Sequence, residues 1–246
     1  MPFNPVERAE ETERLVMQGG QRKYYRFRAA PYYGGIATAD AVGCCFLCAF
    51  CWNYFKIITP QKYGKFYTPR EVSGRLLGIA RKRRFRLCRI TGCEPILGES
   101  SMVHIVKVIT GVLEKERALR FVLETNGLFL GLQPDFISRL KVPKLSVRVA
   151  VKGWDEPSFR HITGADEKYF EYPLLGLKRM IEEGLDAWPA VMWDTFGESG
   201  IQKLKTRLVD MGIDSDIEIE GLEKYPYVLE NIVSRKVEIL DRPGRP

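Results

Sequence analysis

The chain has 246 residues, of which 45% are hydrophobic and 28% charged, and this balance is typical of a soluble globular protein. No apolar stretch approaches the roughly 18 residues that span a membrane, and the charged first 14 residues lack a signal core, so we expect a cytoplasmic protein without membrane contact. The net charge of +7 is compatible with a polyanionic partner such as RNA.

The first predicted element is a helix that starts at residues 4–7, Asn-Pro-Val-Glu. This segment offers an N-cap, a proline at the first helical position and a glutamate at the third. We expect the helix to end at Gly19-Gly20, and we assign residues 1–30 to an N-terminal helical extension.

A strand is expected over residues 32–41, where it leads into a cysteine-rich loop at 42–53. Residues 68–71, Thr-Pro-Arg-Glu, repeat the helix-start pattern and predict a helix to about Arg83. The basic cluster at 81–86 falls where this helix should end, and cations at a helix C-terminus need no partner to explain them.

Alternating strand-like and helical segments follow to the end of the chain. Strands are expected at 85–91, 119–125, 145–151, 185–193 and 215–220. Helices are expected at about 99–116, 134–140, 166–183, 198–211 and 224–235. The pattern predicts six βα units on a parallel sheet with the helices outside, in a single domain over 1–246. Because six units are too few for an eight-stranded barrel, a partial (β/α)6 barrel is expected.

The cysteine loop carries the most specific signal. Cys44, Cys48 and Cys51 form a Cys-x3-Cys-x2-Cys triad that can hold a 4Fe–4S cluster and leave one iron without a cysteine. Cys45 also starts a ferredoxin-like Cys-x2-Cys-x2-Cys run, but the next cysteine is Cys88, which is too distant for that motif. A zinc site that pairs Cys48 and Cys51 with Cys88 and Cys93 is a second alternative.

Further candidates lie at the ends of later predicted strands, where parallel α/β folds bind their ligands. They belong to a Thr-Gly-Cys-Glu-Pro turn at 91–95, a Glu-Thr-Asn-Gly turn at 124–127, and Lys152. Each has an ordinary alternative interpretation, because Gly and Asn-Gly are general turn signals and a lysine at a strand end is often only solvated.

Taken in order, these motifs resemble the radical S-adenosylmethionine (radical SAM) superfamily, including the aromatic Phe50 before the last cysteine. The resemblance implies the same partial barrel, a 4Fe–4S cluster on the three cysteines, and SAM on the open iron. It also implies SAM contacts, in which the ammonium meets Gly92, Cys93 and Glu94, the ribose meets Glu124 and Asn126, and the carboxylate meets Lys152. Cys93 replaces a glycine of the family motif. The Thr-Asn-Gly at 125–127 resembles the branch that activates pyruvate formate-lyase.

The same resemblance implies the reaction: SAM is cleaved reductively to methionine and a 5′-deoxyadenosyl radical, which abstracts hydrogen from a substrate. An electron donor such as flavodoxin or ferredoxin and a low-oxygen setting are expected. The substrate would be a glycine of a partner protein or a small heterocycle. The alternatives are an RNA base, as in the tRNA-wyosine enzymes, and a non-catalytic iron–sulfur or zinc protein that binds nucleic acid.

Overall fold

In the computed structural model, residues 1–240 are described, and they form nine strands, ten α-helices and three short 3-10 helices. The strands are β1 Met17–Gln18, β2 Gln21–Ala30, β3 Ile36–Ala41, β4 Lys65–Tyr67, β5 Leu87–Thr91, β6 Arg120–Thr125, β7 Leu145–Ala150, β8 Asp186–Met192 and β9 Glu218–Glu220. The helices are α1 Pro5–Val16, α2 Tyr54–Ile58, α3 Pro69–Arg83, α4 Glu99–Leu113, α5 Leu128–Leu132, α6 Asp135–Arg139, α7 Glu156–Thr163, α8 Glu171–Glu182, α9 Trp193–Asp210 and α10 Pro226–Ser234.

One mixed sheet organises the fold. Six strands run parallel in the order β3-β5-β6-β7-β8-β9, and helices connect them. This arrangement confirms the predicted partial barrel of six βα units. None of the helices within residues 1–240 is both long and apolar enough to cross a bilayer.

The N-terminal region differs from the prediction. Helix α1 begins as expected, with the Asn4 side chain accepting a hydrogen bond from the Val6 N–H at 2.9 Å. Residues 21–30, however, are not part of a helical extension but form β2, which pairs antiparallel with β3 and β4. The prediction was wrong here because three consecutive residues of β2, at 22–24, are all buried although two of them are basic, so the usual alternation is missing.

The two faces of the sheet carry different side chains. On the outer face Ala39, Ile90 and Leu123 are fully buried within the main hydrophobic core, which lies between the sheet and the helices. Complete burial of a large apolar side chain, such as that of Ile90 or Leu123, stabilises the folded state by about 1.5–3 kcal/mol. The inner face, which lines the barrel lumen, is polar and is held by ion pairs.

Aromatic side chains and one carboxylate bridge the amino end of the lumen. Tyr33, in a turn before β3, donates to the Glu218 carboxylate on β9 at 3.2 Å, and Trp188 donates to the same carboxylate at 2.6 Å. A small apolar cluster of Ile36, Val122 and neighbouring residues lies on the same side of the sheet. The first and last parallel strands are thereby linked across the gap of the open barrel.

Candidate functional site

The cysteine loop begins directly after β3. Gly43 has φ of 87°, and a Cβ at this position would lie 2.5 Å from the Thr12 methyl group on α1, so only glycine fits. The chain turns here and carries Cys44, Cys48 and Cys51 across the carboxyl end of the sheet, as the motif predicted.

The three predicted ligands influence one another electrostatically. Burial raises the pKa of Cys51, and the thiolates of Cys48 and Cys44 raise it further. Burial also raises the pKa of Cys48, to about 11, while the positive charge of Lys152 opposes that shift. A hydrogen bond with the Cys45 thiol lowers the pKa of Cys44 to about 7. Cys48 and Cys51 therefore respond to the charge of neighbouring thiolates, and the positive charge of Lys152 favours the thiolate form of all three predicted ligands.

The donor set fits a cluster better than a zinc ion. Thiolates are the usual ligands of a 4Fe–4S cluster, in which each cysteine binds a different iron. Cys88 is fully buried in the outer-face core near the start of β5, whereas Cys93 follows the end of the same strand, so the two thiols do not form half of a four-cysteine zinc site. No three His, Cys, Asp or Glu side chains within residues 1–240 form a group that could hold a single metal ion.

The turn after β5 is bonded to the start of the cysteine loop. The Cys93 N–H donates to the Ala41 carbonyl at 3.3 Å, and the Glu94 N–H donates to the Gly43 carbonyl at 3.0 Å. Gly92 has φ of 94°, and an added Cβ would lie 3.0 Å from the Asp40 Cα. The left-handed conformation thus falls on Gly92, and Cys93 takes the place of the motif's second glycine without a positive φ.

Glu94 joins this turn to the one after β6. Its buried carboxylate accepts hydrogen bonds from the Ile96 N–H at 3.0 Å, the Thr125 hydroxyl at 2.6 Å and the Asn126 N–H at 2.7 Å. Burial raises the pKa of Glu94 to about 8, and the nearby Cys44 thiolate adds to this shift. The carboxylate expected to face SAM is therefore used to fasten two strand ends together.

The two residues predicted to contact the ribose point in different directions. The Glu124 carboxylate faces the lumen, where it pairs with the Arg89 guanidinium at 2.6 Å and accepts from the Thr91 hydroxyl. The Asn126 side chain faces the cysteine loop instead and donates to the Cys45 sulfur at 3.0 Å. Both groups lie at the carboxyl end of β6, but each already has partners.

Lys152 follows β7 and is close to the cysteines. Its ammonium nitrogen lies 5.2 Å from the centre of the Phe50 ring, and its charge lowers the pKa of all three predicted cluster ligands. The structure therefore brings Lys152, the three cysteines, the Gly92–Glu94 turn and Asn126 to one end of the barrel, with Glu124 deeper in the lumen.

Residues of β2 support this site, and sequence reasoning missed them. The fully buried Arg22 donates to the Glu94 carbonyl at 2.6 Å. Tyr25 donates to the Asn53 side chain at 3.0 Å, and Asn53 in turn donates to the Gly92 carbonyl at 2.6 Å. No local pattern indicates these contacts, because each joins residues that are distant in sequence.

Helix α10 holds the other side of the cysteine loop. Tyr227 donates to the Trp52 carbonyl, Asn231 to the Ala49 carbonyl at 2.6 Å, and Arg235 to the Leu47 carbonyl. Tyr227 and Asn231 lie in α10 and Arg235 directly follows it. Because the three residues are spaced by four, their side chains lie on the same side of the helix. The spacing can be seen in the sequence, but the sequence does not show that these side chains contact the cysteine loop.

The loop N–H groups are satisfied from another element. Leu47 and Ala49 donate their N–H groups to the carbonyls of Thr163 and Ile162, at the end of α7, at 3.1 and 2.9 Å. The loop backbone is therefore held between two helices, which fixes where its thiols lie.

Comparisons with known proteins agree with this geometry. The family model of the radical SAM superfamily matches residues 40–196, which include the cysteine loop and five of the six parallel strands in whole or in part. No curated protein sequence matches the chain.

Solved structures share the fold at low sequence identity. A radical SAM methyltransferase from Sphaerobacter thermophilus is 12% identical, with a TM-score of 0.60 over 86% of this chain and 67% of its own. SuiB of Streptococcus suis bound to S-adenosylmethionine is 15% identical, with a TM-score of 0.58 over 80% of this chain and 47% of its own. A spore photoproduct lyase variant with bound AdoMet and a dinucleoside spore photoproduct is 15% identical, with a TM-score of 0.61 over 88% and 65%. The chain thus spans about half to two thirds of the length of these proteins.

Proposed function

Because the chain belongs to the radical SAM superfamily, which uses a 4Fe–4S cluster and SAM, we propose that Cys44, Cys48 and Cys51 hold the cluster here and that this chain catalyses hydrogen abstraction from a substrate. The observation that carries the proposal is the position of the cysteine loop. It lies at the carboxyl ends of the parallel strands and is bonded directly to the Gly92–Glu94 turn. Ligands of parallel α/β folds bind at this end.

When bound, the cluster and SAM supply an electron and a 5′-deoxyadenosyl radical, and the protein supplies binding, orientation and exclusion of water. The Gly92–Glu94 turn is fixed from behind by Arg22 and Asn53, so its remaining polar groups can orient the amino group of SAM. Lys152 would pair with the SAM carboxylate, which is supported by its ammonium nitrogen lying 5.2 Å from the centre of the Phe50 ring in the cysteine loop.

Glu124 and Asn126 would bind the ribose with the hydrogen-bonding positions that their present partners leave free. A carboxylate has about four acceptor positions, and Glu124 uses only part of this capacity on Arg89 and Thr91. The substrate would enter from the carboxyl end of the lumen, where parallel α/β folds bind their ligands, since Tyr33, Trp188 and Glu218 are hydrogen-bonded across the amino end.

The substrate class is part of the same proposal. The proposed substrate is a glycine of a partner protein or a small heterocycle, and the proposed electron donor is flavodoxin or ferredoxin. The glycine substrate is supported by the Thr-Asn-Gly at 125–127, which resembles a motif of the enzymes that activate pyruvate formate-lyase. The cytoplasmic location and the need for low oxygen stay predictions from the sequence.

The test is reductive cleavage of SAM. The protein is reconstituted with iron and sulfide under argon, reduced with dithionite and assayed by chromatography for 5′-deoxyadenosine. We expect slow formation without substrate. Alanine variants of Cys44, Cys48 and Cys51 should each lose the brown 4Fe–4S absorbance and the product.

Cys45→Ala is the matched control, because Cys45 is a buried cysteine directly beside Cys44 but is not a predicted ligand. It should keep iron and product. A cluster that survives Cys44→Ala but not Cys45→Ala would overturn the ligand assignment, and an iron-loaded protein that forms no 5′-deoxyadenosine with any reductant would overturn the reaction.

A further inference from the structure

The amino end of the sheet, opposite the cysteine loop, carries a concentration of positive charge. We call it the basic edge: residues 81–86, 115–120 and 141–144, which lead into the starts of β5, β6 and β7. Exposed cations occur in all three segments, among them Arg83, Arg84, Arg86, Arg117, Arg120 and Lys144.

Backbone hydrogen bonds join the three segments into one surface. The Arg120 N–H donates to the Arg86 carbonyl at 2.9 Å, and the Phe121 N–H donates to the Lys144 carbonyl at 2.9 Å. Neighbouring strands are about 4.8 Å apart, so the basic residues at the starts of β5, β6 and β7 lie side by side. The sequence separates these segments by some thirty residues each, and only the fold assembles them.

Most of this charge is not neutralised within the protein. Three cations of the basic edge have acidic partners: Arg81 with Glu116 at 3.7 Å, Arg120 with Asp186 at 3.5 Å, and Lys141 with Glu183 at 3.0 Å. Within residues 1–240, no ion pair involves Lys82, Arg83, Arg84, Arg86, Lys115 or Arg117.

The helix dipole accounts for only part of the surface. It favours cations in the last turn of α3, where Arg81, Lys82 and Arg83 lie. Arg86, Arg117 and Arg120 lie beyond any last helical turn, so their clustering has another cause.

The surface chemistry favours a polyanion over a folded protein partner. Protein interfaces depend on buried aromatic or aliphatic anchors. None of the exposed large hydrophobic side chains of residues 1–240 belongs to the basic edge, where Phe85 is only half-exposed. Long, unpaired cations without apolar anchors match the phosphate backbone of a nucleic acid.

We propose that the basic edge binds the phosphate backbone of a nucleic acid. The surface lies at the opposite end of the strands from Cys44, so it docks the nucleic acid without taking part in the radical reaction. Binding of the nucleic acid is therefore independent of the proposed radical reaction.

The test measures binding of the reconstituted protein to a fluorescent single-stranded RNA, with duplex DNA in a parallel arm, by anisotropy at several salt concentrations. The edge variant combines Lys82→Gln, Arg83→Gln and Arg86→Gln. The control combines Lys65→Gln, Lys107→Gln and Lys205→Gln, which remove the same charge from exposed positions elsewhere.

Each phosphate contact contributes about 0.7 to the slope of log K against log salt for single strands, so three lost contacts should reduce the slope by about 2. At about 0.1 M salt this corresponds to a loss of affinity of tenfold or more. The control should keep the wild-type slope, and the edge variant should cleave SAM at the wild-type rate. The arm that binds more tightly identifies the nucleic acid.

Equal loss in the edge and control variants would show that only net charge matters and would overturn the proposal. So would the absence of wild-type binding to either probe at about 0.1 M salt, or equally tight and edge-dependent binding of a polyglutamate peptide.

Discussion

The outer and inner faces of the parallel sheet are stabilised by different kinds of interaction. Ala39, Ile90 and Leu123 on the outer face contact helices and exclude water, whereas Arg89, Glu124 and Arg148 on the inner face are held by ion pairs. Apolar burial is non-directional, but a buried ion pair has a defined geometry and is costly to leave incomplete. Stability therefore depends mainly on the outer face, whereas the inner face supplies a polar lining for the lumen.

The largest effect is expected from a cavity on the outer face. Leu123→Ala removes a fully buried side chain from the main core, and such changes cost about 2–5 kcal/mol. The free energy of unfolding of the cluster-free protein, measured by urea titration, should fall by this amount. Protein that remains folded should still cleave SAM. A loss below about 1 kcal/mol would contradict the division between the faces.

A smaller effect is expected when an inner-face ion pair is broken. Arg89→Met leaves the Glu124 carboxylate, which is only 12% exposed, without its cation. Because some solvent reaches the pair, we expect a loss of about 2 kcal/mol, less than for a fully buried pair.

The double variant Arg89→Met with Glu124→Gln is the control for that prediction, since it removes both charges. It should recover most of the lost stability in the same urea titration. Additive losses would indicate that the two side chains do not act as a pair.

The smallest effect on stability is expected at the cysteine loop, which lies at the carboxyl end of the sheet. Asn231→Leu removes one hydrogen bond to the Ala49 carbonyl and should leave both faces intact. Loss of one bond costs about 0.5–1.5 kcal/mol, so iron should be released to a chelator roughly two- to tenfold faster. Release is followed by absorbance after reconstitution.

Glu230→Gln, at the exposed residue of α10 that directly precedes Asn231, is the matched control and should release iron at the wild-type rate. Asn231→Gln, which keeps the amide, should restore part of the retention. Equal release rates in Asn231→Leu and wild type would remove the positioning role of α10.

The repeating βα units and the cysteine loop could be predicted because their signals are local. The strands are rich in Val, Ile, Leu and Phe and are separated by helical segments, and the three cysteines lie within eight residues of one another. The order of the strand-end motifs also led us to expect Gly92, Asn126 and Lys152 at the same end of the sheet as the loop, and in the structure Asn126 donates to Cys45 while Lys152 lies 5.2 Å from the Phe50 ring.

The supporting contacts could not be predicted, because they join distant parts of the chain. Arg22 lies 72 residues from Glu94, whose carbonyl it contacts, and its strand lacks the apolar alternation that identifies strands. The same holds for the direction of the Glu94 carboxylate, which depends on the turn after β6 rather than on its own motif.

The contacts of α10 with the cysteine loop also have a consequence for biosynthesis. Asn231 follows Ala49 by 182 residues, so the ribosome must add this length before the bond can form. At about 5–20 residues per second, the interval is roughly 10–40 s. During this time the nascent loop has no partner from α10, and its thiols are open to oxidation or to stray metal ions. We therefore expect iron–sulfur assembly to act on the chain after synthesis has passed α10, and newly made protein to benefit most from a low-oxygen cell.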